Sequence, residues 1–435
     1  MSAMKAIDRC ILQIAVPSIV SNITVPLLGL VDVAIVGHMG SDTYIGAIAV
    51  GSMIFSVVYW LFGFLRMGTS GLTSQALGRR DLGEVSCTLS RAVAAALSGG
   101  AAVIVLQWPL LACAMALMEP APELTCAVDR YFRICVWGAP AVLAVHALNG
   151  WFLGMQNSRA PMAVSIVQNV ANILASALLV YVAGMKIEGV ALGTLAAQYV
   201  GLALSIALLA RHYGRHLRGR MDWRRMAEPA AMKAFVCVNR DIFLRTLCLV
   251  AVNFFFLSCG TSQGVLILAA NTLLMQFFTL FSYVMDGFAF SAEAICGRLR
   301  GAGDAEGLRA AVRRVFFWAV GLTAAYTVAC CLGGTSFLSL LTDRESVVAE
   351  ASVYMPWVVM VPVCGVAAFV WDGVYIGLTA TRGMLLATSV AALCFAAVFV
   401  ALFPVWGNHA LWLSFLVFLS VRGIVQTAKA CSLFS

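Results

Sequence analysis

Acidic side chains are scarce in this chain, and a few of them fall inside long apolar runs, where a carboxylate is expensive and marks a functional site by default. In SNITVPLLGLVDVAIVGHMG, Pro26 stands six residues before Asp32. Proline removes a backbone donor and crowds the turn before it, so a kink with a freed carbonyl is expected there. Asp32 follows a turn and a half later. Desolvation disfavours the charged form of such a carboxyl, which suits it to exchanging protons near neutral pH. The bland alternative is a structural carboxyl bonded to a neighbouring helix.

Polar companions come from VQNVANILASALLV, where Asn169, Asn172 and Ser176 are three and then four apart and so share one helix face. Thr194 and Gln198 stand one turn apart in the next apolar run. Their amides and hydroxyls could bond a protonated carboxyl, or hold water or Na⁺ beside an ionised one. They could equally be polar glue between helices. Further along, Asp286 and Glu293 lie seven apart on one face, and Asp372 sits in another apolar run. Arg245 could partner one of these acids, or Asp241 four residues before it. Glu293, close to Arg298, reads as a gate or interdomain residue together with Asp286 and Arg245. Asn149, Asn169, Gln198 and Asp372 are the candidate lining of a substrate path. His409 reads as an interfacial histidine.

Enzymatic and channel chemistry find little support. No HExxH, no paired catalytic acids and no GxxxxGK[ST] occur, and the histidines are isolated. A channel would show rings of like charge from repeated subunits. The 14 cysteines are scattered through apolar runs without metal or disulfide spacing, so they read as small packing residues and no metal site is expected.

What must position these residues follows from composition. The chain has 435 residues, 62% hydrophobic and 11% charged, with a mean hydropathy of +0.94; soluble proteins carry about 25% charged residues. That excludes an ordinary soluble enzyme. Apolar runs predict an all-α membrane protein of twelve spanning segments, near 10–36, 44–66, 91–116, 131–153, 161–183, 189–210, 241–260, 264–290, 313–333, 353–376, 383–403 and 408–428. The start, MSAMKAIDRC, shows no small-residue cleavage site, so no removable leader is expected. With both termini cytoplasmic, all of the 28 lysines and arginines except Arg130, Arg133, Lys186 and Arg344 fall on the inner side. The net charge of +8 therefore needs no nucleic-acid partner. The flippase alternative, for lipids or lipid-linked oligosaccharides, would want a cleft lined by Arg or Lys, whereas the cations here read as loop residues.

The longest polar stretch, Arg211 to Asp241, divides two halves: residues 1–210 as a first lobe of six helices, 211–240 as a basic cytoplasmic linker, and 241–435 as a second lobe. Asn149-Gly150-xxx-Gly154-xxxx-Arg159 recurs as Asp372-Gly373-xxx-Gly377-xxxx-Arg382, and Gly68 with Gly78 is echoed by Gly287 with Gly297. Even numbers of helices make these parallel repeats, a transporter architecture with a substrate path expected between the lobes.

Six blocks, NITVPLLGLVDVAIVGHMG, FLRMGTSGLTSQALGRRD, NRDIFLRTL, MDGFAFSAEA, WDGVYIGLTATR and GNHALW, run through both halves. By these the chain resembles the multidrug and toxic compound extrusion (MATE) family, and within it the DinF branch. The resemblance implies two pseudosymmetric six-helix lobes around a central cleft, exporting amphipathic or cationic organic compounds from a bacterial inner membrane in exchange for H⁺ or Na⁺. It matches Asp32 to the carboxylate that binds the coupling ion, with Asn172 and Thr194 as its polar neighbours. Where the related pattern commonly reads Asn-x-x-x-Asp, this chain has Asn172 and Ser176, so the pocket keeps one acid; with no Glu in the seventh segment to complete a Na⁺ site, the coupling ion stays open between H⁺ and Na⁺, with H⁺ favoured. Asp372 fits an acid that other members use for Na⁺. Alternating access is the expected mechanism, with protonation of Asp32 from outside releasing substrate. No cofactor is implied beyond the coupling ion. The expected partners are a small organic substrate and the lipid bilayer, with the chain a monomer.

Overall fold

The computed structural model describes the backbone of residues 2–37, 42–119, 121–217, 223–430 and 433; of these, the side chains of 2–3, 25–37, 42, 216 and 223 lie outside the described residues. The described chain is helical throughout, without a strand. The helices are α1 (Ser2–Gly37), α2 (Asp42–Leu61), α3 (Phe64–Gly78), α4 (Leu82–Val105), α5 (Gln107–Met118), α6 (Pro122–Cys135), α7 (Ala139–Gly154), α8 (Arg159–Ala177), α9 (Ile187–Leu217), α10 (Trp223–Met226), α11 (Pro229–Ser262), α12 (Val265–Ala302), α13 (Ala305–Leu341), α14 (Glu345–Gly377), α15 (Thr381–Trp406) and α16 (Asn408–Ala430). Among the described residues, twelve stretches are long and apolar enough to span a bilayer; α2 and α3 combine into one of them, as do α6 and α7.

The helices outrun the apolar runs that announced them. The second segment, expected to stop near residue 66, continues as α3 to Gly78 because Thr69, Ser70, Thr73 and Ser74 are all fully buried. The basic linker is mostly helix: α9 runs on to Leu217, α10 follows, and α11 starts at Pro229. The third segment, expected to be continuous to residue 116, breaks at Leu106. Pro109 explains the break, since its ring would crowd the carbonyl four residues back if the helix ran through.

Contacts divide the chain into two compact units, one of Met1–Ile19 with Arg240–Ser435 and the other of Val20–Asn239. The first five turns of α1 are thus grouped with the second half of the sequence, where the reading by halves had placed them in the first. Within that unit, Arg314 Nε donates to Asp8 Oδ1 at 2.7 Å and Nη2 to Oδ2 at 2.5 Å, and Trp318 Nε1 donates to Asp8 Oδ1 at 3.0 Å.

Inside each unit one seam repeats. A Cβ on Gly150 of α7 would run into the Arg66 carbonyl of α3, and one on Gly154 would lie 2.8 Å from the Ser70 carbonyl. In the other unit a Cβ on Gly373 of α14 would run into the Ala289 carbonyl of α12, and one on Gly377 would lie 2.5 Å from the Glu293 carbonyl. Lipid supplies no hydrophobic drive between helices, so backbones brought together by small residues supply the packing instead. The two seams are related by one constant offset in the chain. The same offset pairs the caps Asp81 and Asp304, which accept from the Glu84 and Gly307 amides, and pairs Arg91 with Arg314. In that register Gly68 corresponds to Ser291, so the echo of Gly68 and Gly78 in Gly287 and Gly297 is one helical turn out.

Candidate functional site

Of the sequence-derived site, Pro26 and Asp32 lie on α1, but their side chains are outside the described residues. Their neighbours in sequence are anchored: Asn169 Nδ2 donates to the Thr24 carbonyl at 3.0 Å, and the hydroxyls of Thr24 and Ser165 lie 3.1 Å apart. These bonds tie α1 to α8 about two helical turns before Asp32.

Asn172 and Thr194, expected together, do meet. Asn172, at 1% exposure, donates from Nδ2 to Thr194 Oγ1 at 3.0 Å. Ser176, one turn further along α8, faces Gly193 of α9, where any Cβ would fall on the serine hydroxyl and 2.7 Å from its backbone nitrogen. Asn172 Oδ1, Ser176 Oγ and Gln198 Oε1 are buried without a hydrogen-bond partner among the described residues. Buried polar atoms are nearly always satisfied, so such atoms call for an ion, a water or a proton donor. Asn149 shows the same feature at Oδ1 on α7.

The contrast with Asn271 and Asn408 is instructive. Those two amides bond each other reciprocally at 2.8 and 2.9 Å, and Trp412 Nε1 donates to Asn271 Oδ1 at 2.9 Å. That is polar glue with its oxygens in use. His409 accepts at Nδ1 from Trp357 Nε1 at 3.0 Å.

Asp372, on α14, is 7% exposed and has both oxygens engaged. Oδ2 accepts from Arg245 of α11 and from Arg422 Nη2 of α16 at 2.6 Å, while Oδ1 accepts from Gln426 Nε2 at 2.7 Å. Of the alternatives open to Arg245, Asp372 is the one taken; Asp241 pairs with Arg240 and accepts from Thr381 Oγ1 at 3.1 Å. From the sequence Arg422 reads as one of the loop cations. It lies instead inside α16 at 4% exposure, and Gln426, which no reading singled out, completes the cluster one turn on. Asp286 is half-buried on α12, close enough for its charge to act on Arg422. Glu293 is 1% exposed in the seam between α12 and α14.

Comparison with known proteins supplies the identity. The MatE family profile matches residues 17–178 and 242–402, once in each half. The chain belongs to the MatE family. It is 36% identical to the DNA damage-inducible protein F of Escherichia coli (strain K12), over 98% of this chain and 93% of that protein. A probable multidrug resistance protein NorM of Rhizobium meliloti (strain 1021) is 24% identical over 73% of this chain and 68% of its own. In fold it is similar to the Vibrio cholerae MATE transporter VcmN in its bent form, with a TM-score of 0.86 at 17% identity, covering 100% of this chain and 98% of that one. The chain is therefore an integral membrane transporter of the multidrug and toxic compound class, and MATE proteins are transporters, not enzymes.

Proposed function

We propose that this MATE transporter exports amphipathic or cationic organic compounds in exchange for protons, through the polar group formed by Asp32, Asn172, Ser176 and Thr194. The observation that carries this reading is the state of Asp372. A carboxylate bonded to two guanidiniums and an amide has no negative charge to spare for Na⁺, and its oxygens are already used. That argues against Asp372 and favours Asp32, the acid that the family resemblance matches to the coupling carboxylate. The unsatisfied oxygens of Asn172 and Ser176 support it, since they can accept from a protonated carboxyl or from a water that delivers the proton.

In this mechanism protonation of Asp32 removes its charge and lowers affinity for substrate in the outward-open state. Loss of the proton on the inner side restores a site for a cationic compound. Coupling needs only that proton and substrate bind the two states unequally. The runner-up, a flippase drawing anionic headgroups onto arginines, is not favoured, because Arg245 and Arg422 are both committed to Asp372.

The test is uptake of a fluorescent organic cation into inverted vesicles of the purified protein, under an imposed pH gradient or an imposed Na⁺ gradient. Uptake driven by the pH gradient and abolished in Asp32→Asn is expected. Uptake driven by Na⁺, or surviving the substitution, overturns the assignment.

A further inference from the structure

The unit formed by Met1–Ile19 and Arg240–Ser435 carries a groove of about 700 Å³ that the transport reading leaves unused. Its wall is apolar: Leu12 of α1, Phe288 of α12, and Phe316, Phe317, Trp318 and Gly321 of α13. It begins one turn beyond the Asp8–Arg314 pair, and that pair fixes its geometry. Trp318 is held as a wall by its bond to Asp8, and the Arg314 guanidinium lies over the Phe317 ring at 4.7 Å from the centroid. Gly321 provides the depth, since a Cβ there would meet nothing within 4 Å.

Basic residues continue both faces of this groove past the ion pair. On α1, Lys5 and Arg9 stand seven and three residues before Leu12, on the same face. On α13, Arg309 and Arg313 stand eight and four residues before Phe317, again on its face. All four are exposed, and Lys5, Arg9 and Arg313 take no carboxylate partner among the described residues. Leu12 lies four residues beyond Asp8, and Phe316 to Gly321 two to seven beyond Arg314, so both helices lead away from the cationic end in the same direction. An apolar trough with four cations at one end is complementary to a molecule with a negative head and a long apolar tail.

We propose that this groove is a binding site for an anionic diacyl phospholipid, one acyl chain lying against Phe317, Trp318 and Gly321 and the phosphate among Lys5, Arg9, Arg309 and Arg313. Basic pockets between membrane helices bind such headgroups. Neither transport direction nor coupling ion enters the argument.

The test uses the full chain in detergent micelles. Lipid retention is read by native mass spectrometry, and thermal unfolding is followed with added dioleoylphosphatidylglycerol or with dioleoylphosphatidylcholine, which has the same tails and no net charge. Preference for the anionic lipid by at least about tenfold is expected, from the combined pull of the cations. The double variant Arg309→Gln/Arg313→Gln should bring the two lipids close to parity. Gly321→Phe, whose Cβ meets nothing within 4 Å and whose ring enters the trough, should weaken retention of both. Equal retention of the two lipids by the parent protein overturns the proposal. So does an unchanged preference in the double variant, or full retention in Gly321→Phe.

Discussion

Four carboxylates, Asp32, Asp286, Glu293 and Asp372, are legible as residues that do not belong in lipid, and the surroundings of Asp372 fix its role. Asp372 sits between Arg245 and Arg422, so it neutralises buried cations. Asp372→Asn keeps the shape and removes the charge, leaving two guanidiniums buried against a neutral amide. Breaking a buried pair in this way costs about 3–5 kcal/mol. The variant should unfold at markedly lower temperature in detergent, while protein that remains folded still responds to a pH gradient in vesicles. A loss of proton response with unchanged thermal stability would instead place coupling at Asp372. The sequence showed that Arg245 would find an acid but not which one, because Asp241 at four residues is nearer in the chain than Asp372. Arg422 escaped notice for a related reason. It stands near the end of an apolar run, where a cation normally reaches the headgroups, and only the packing of α16 on α14 shows that its guanidinium points inward. The pairing of Asn172 with Thr194 was legible through the family resemblance and not through spacing, since they lie on different helices.

At the scale of elements, helix number and order were legible because twelve apolar runs admit one reading, while helix ends were not, because helices continue beyond the apolar stretch that reveals them. The turns were harder still. Arg80, Gln156 and Thr379 adopt left-handed backbone at helix ends where glycine is the expected residue. Each is held by the same pattern: the amides of Asp81, Asn157 and Ala380 reach back to the carbonyls of Ala76, Phe152 and Tyr375. The glycine repeat was legible in the fourth and tenth segments, and its physical content is the backbone approach of α7 to α3 and of α14 to α12. Gly150→Ala and Gly373→Ala should each lower the unfolding temperature by forcing a methyl against a carbonyl that has no free rotation. Overpacking of this kind costs about 1–3 kcal/mol. Insensitivity of both to the substitution would dissolve the seam argument.

α10 is an element held by charge. Arg91 donates from Nε to the Met226 carbonyl at 2.9 Å and from Nη2 to the Arg225 carbonyl at 2.8 Å, and Arg225 pairs with Asp81. Burial opposes the charge of Asp81, but the hydrogen bonds from Arg225 and the Glu84 amide, with the Arg79 guanidinium, outweigh it and hold the carboxyl below its ordinary 3.8. A depressed carboxyl stabilises the fold fully above that ordinary value, and the contribution is lost as pH falls through the depressed one. Protection of the amides in residues 223–228, exchange taken relative to the intrinsic rate at each pH, should therefore hold from neutral pH down to about 4 and fall below it. In Arg225→Gln the protection should be lower at neutral pH and flatter with pH. A wild-type profile in that variant would remove Asp81 from the anchoring of α10.

For the whole molecule, the division of the chain does not follow the division of the sequence. The unit of Val20–Asn239 includes the first turns of α11, and the unit of Arg240–Ser435 includes residues 1–19, secured by the bonds of Arg314 and Trp318 to Asp8. A boundary drawn at the polar stretch after residue 210 was the natural reading, because composition marks where the chain leaves the apolar phase but carries no record of which unit a leading helix packs on. A consequence follows for fragments cut within the linker. A piece ending at 220 lacks the 229–239 turns of its own unit, and a piece starting at 221 lacks residues 1–19 of the other. Each exposes a helix face that its unit covers, so neither should accumulate when expressed alone. Expressed together, the two pieces contain every contact of both units and should copurify and export substrate. If each piece instead gave a stable, monodisperse protein by itself, residues 1–19 and 229–239 would be dispensable to the units that hold them, and the two units would be those that the sequence halves describe.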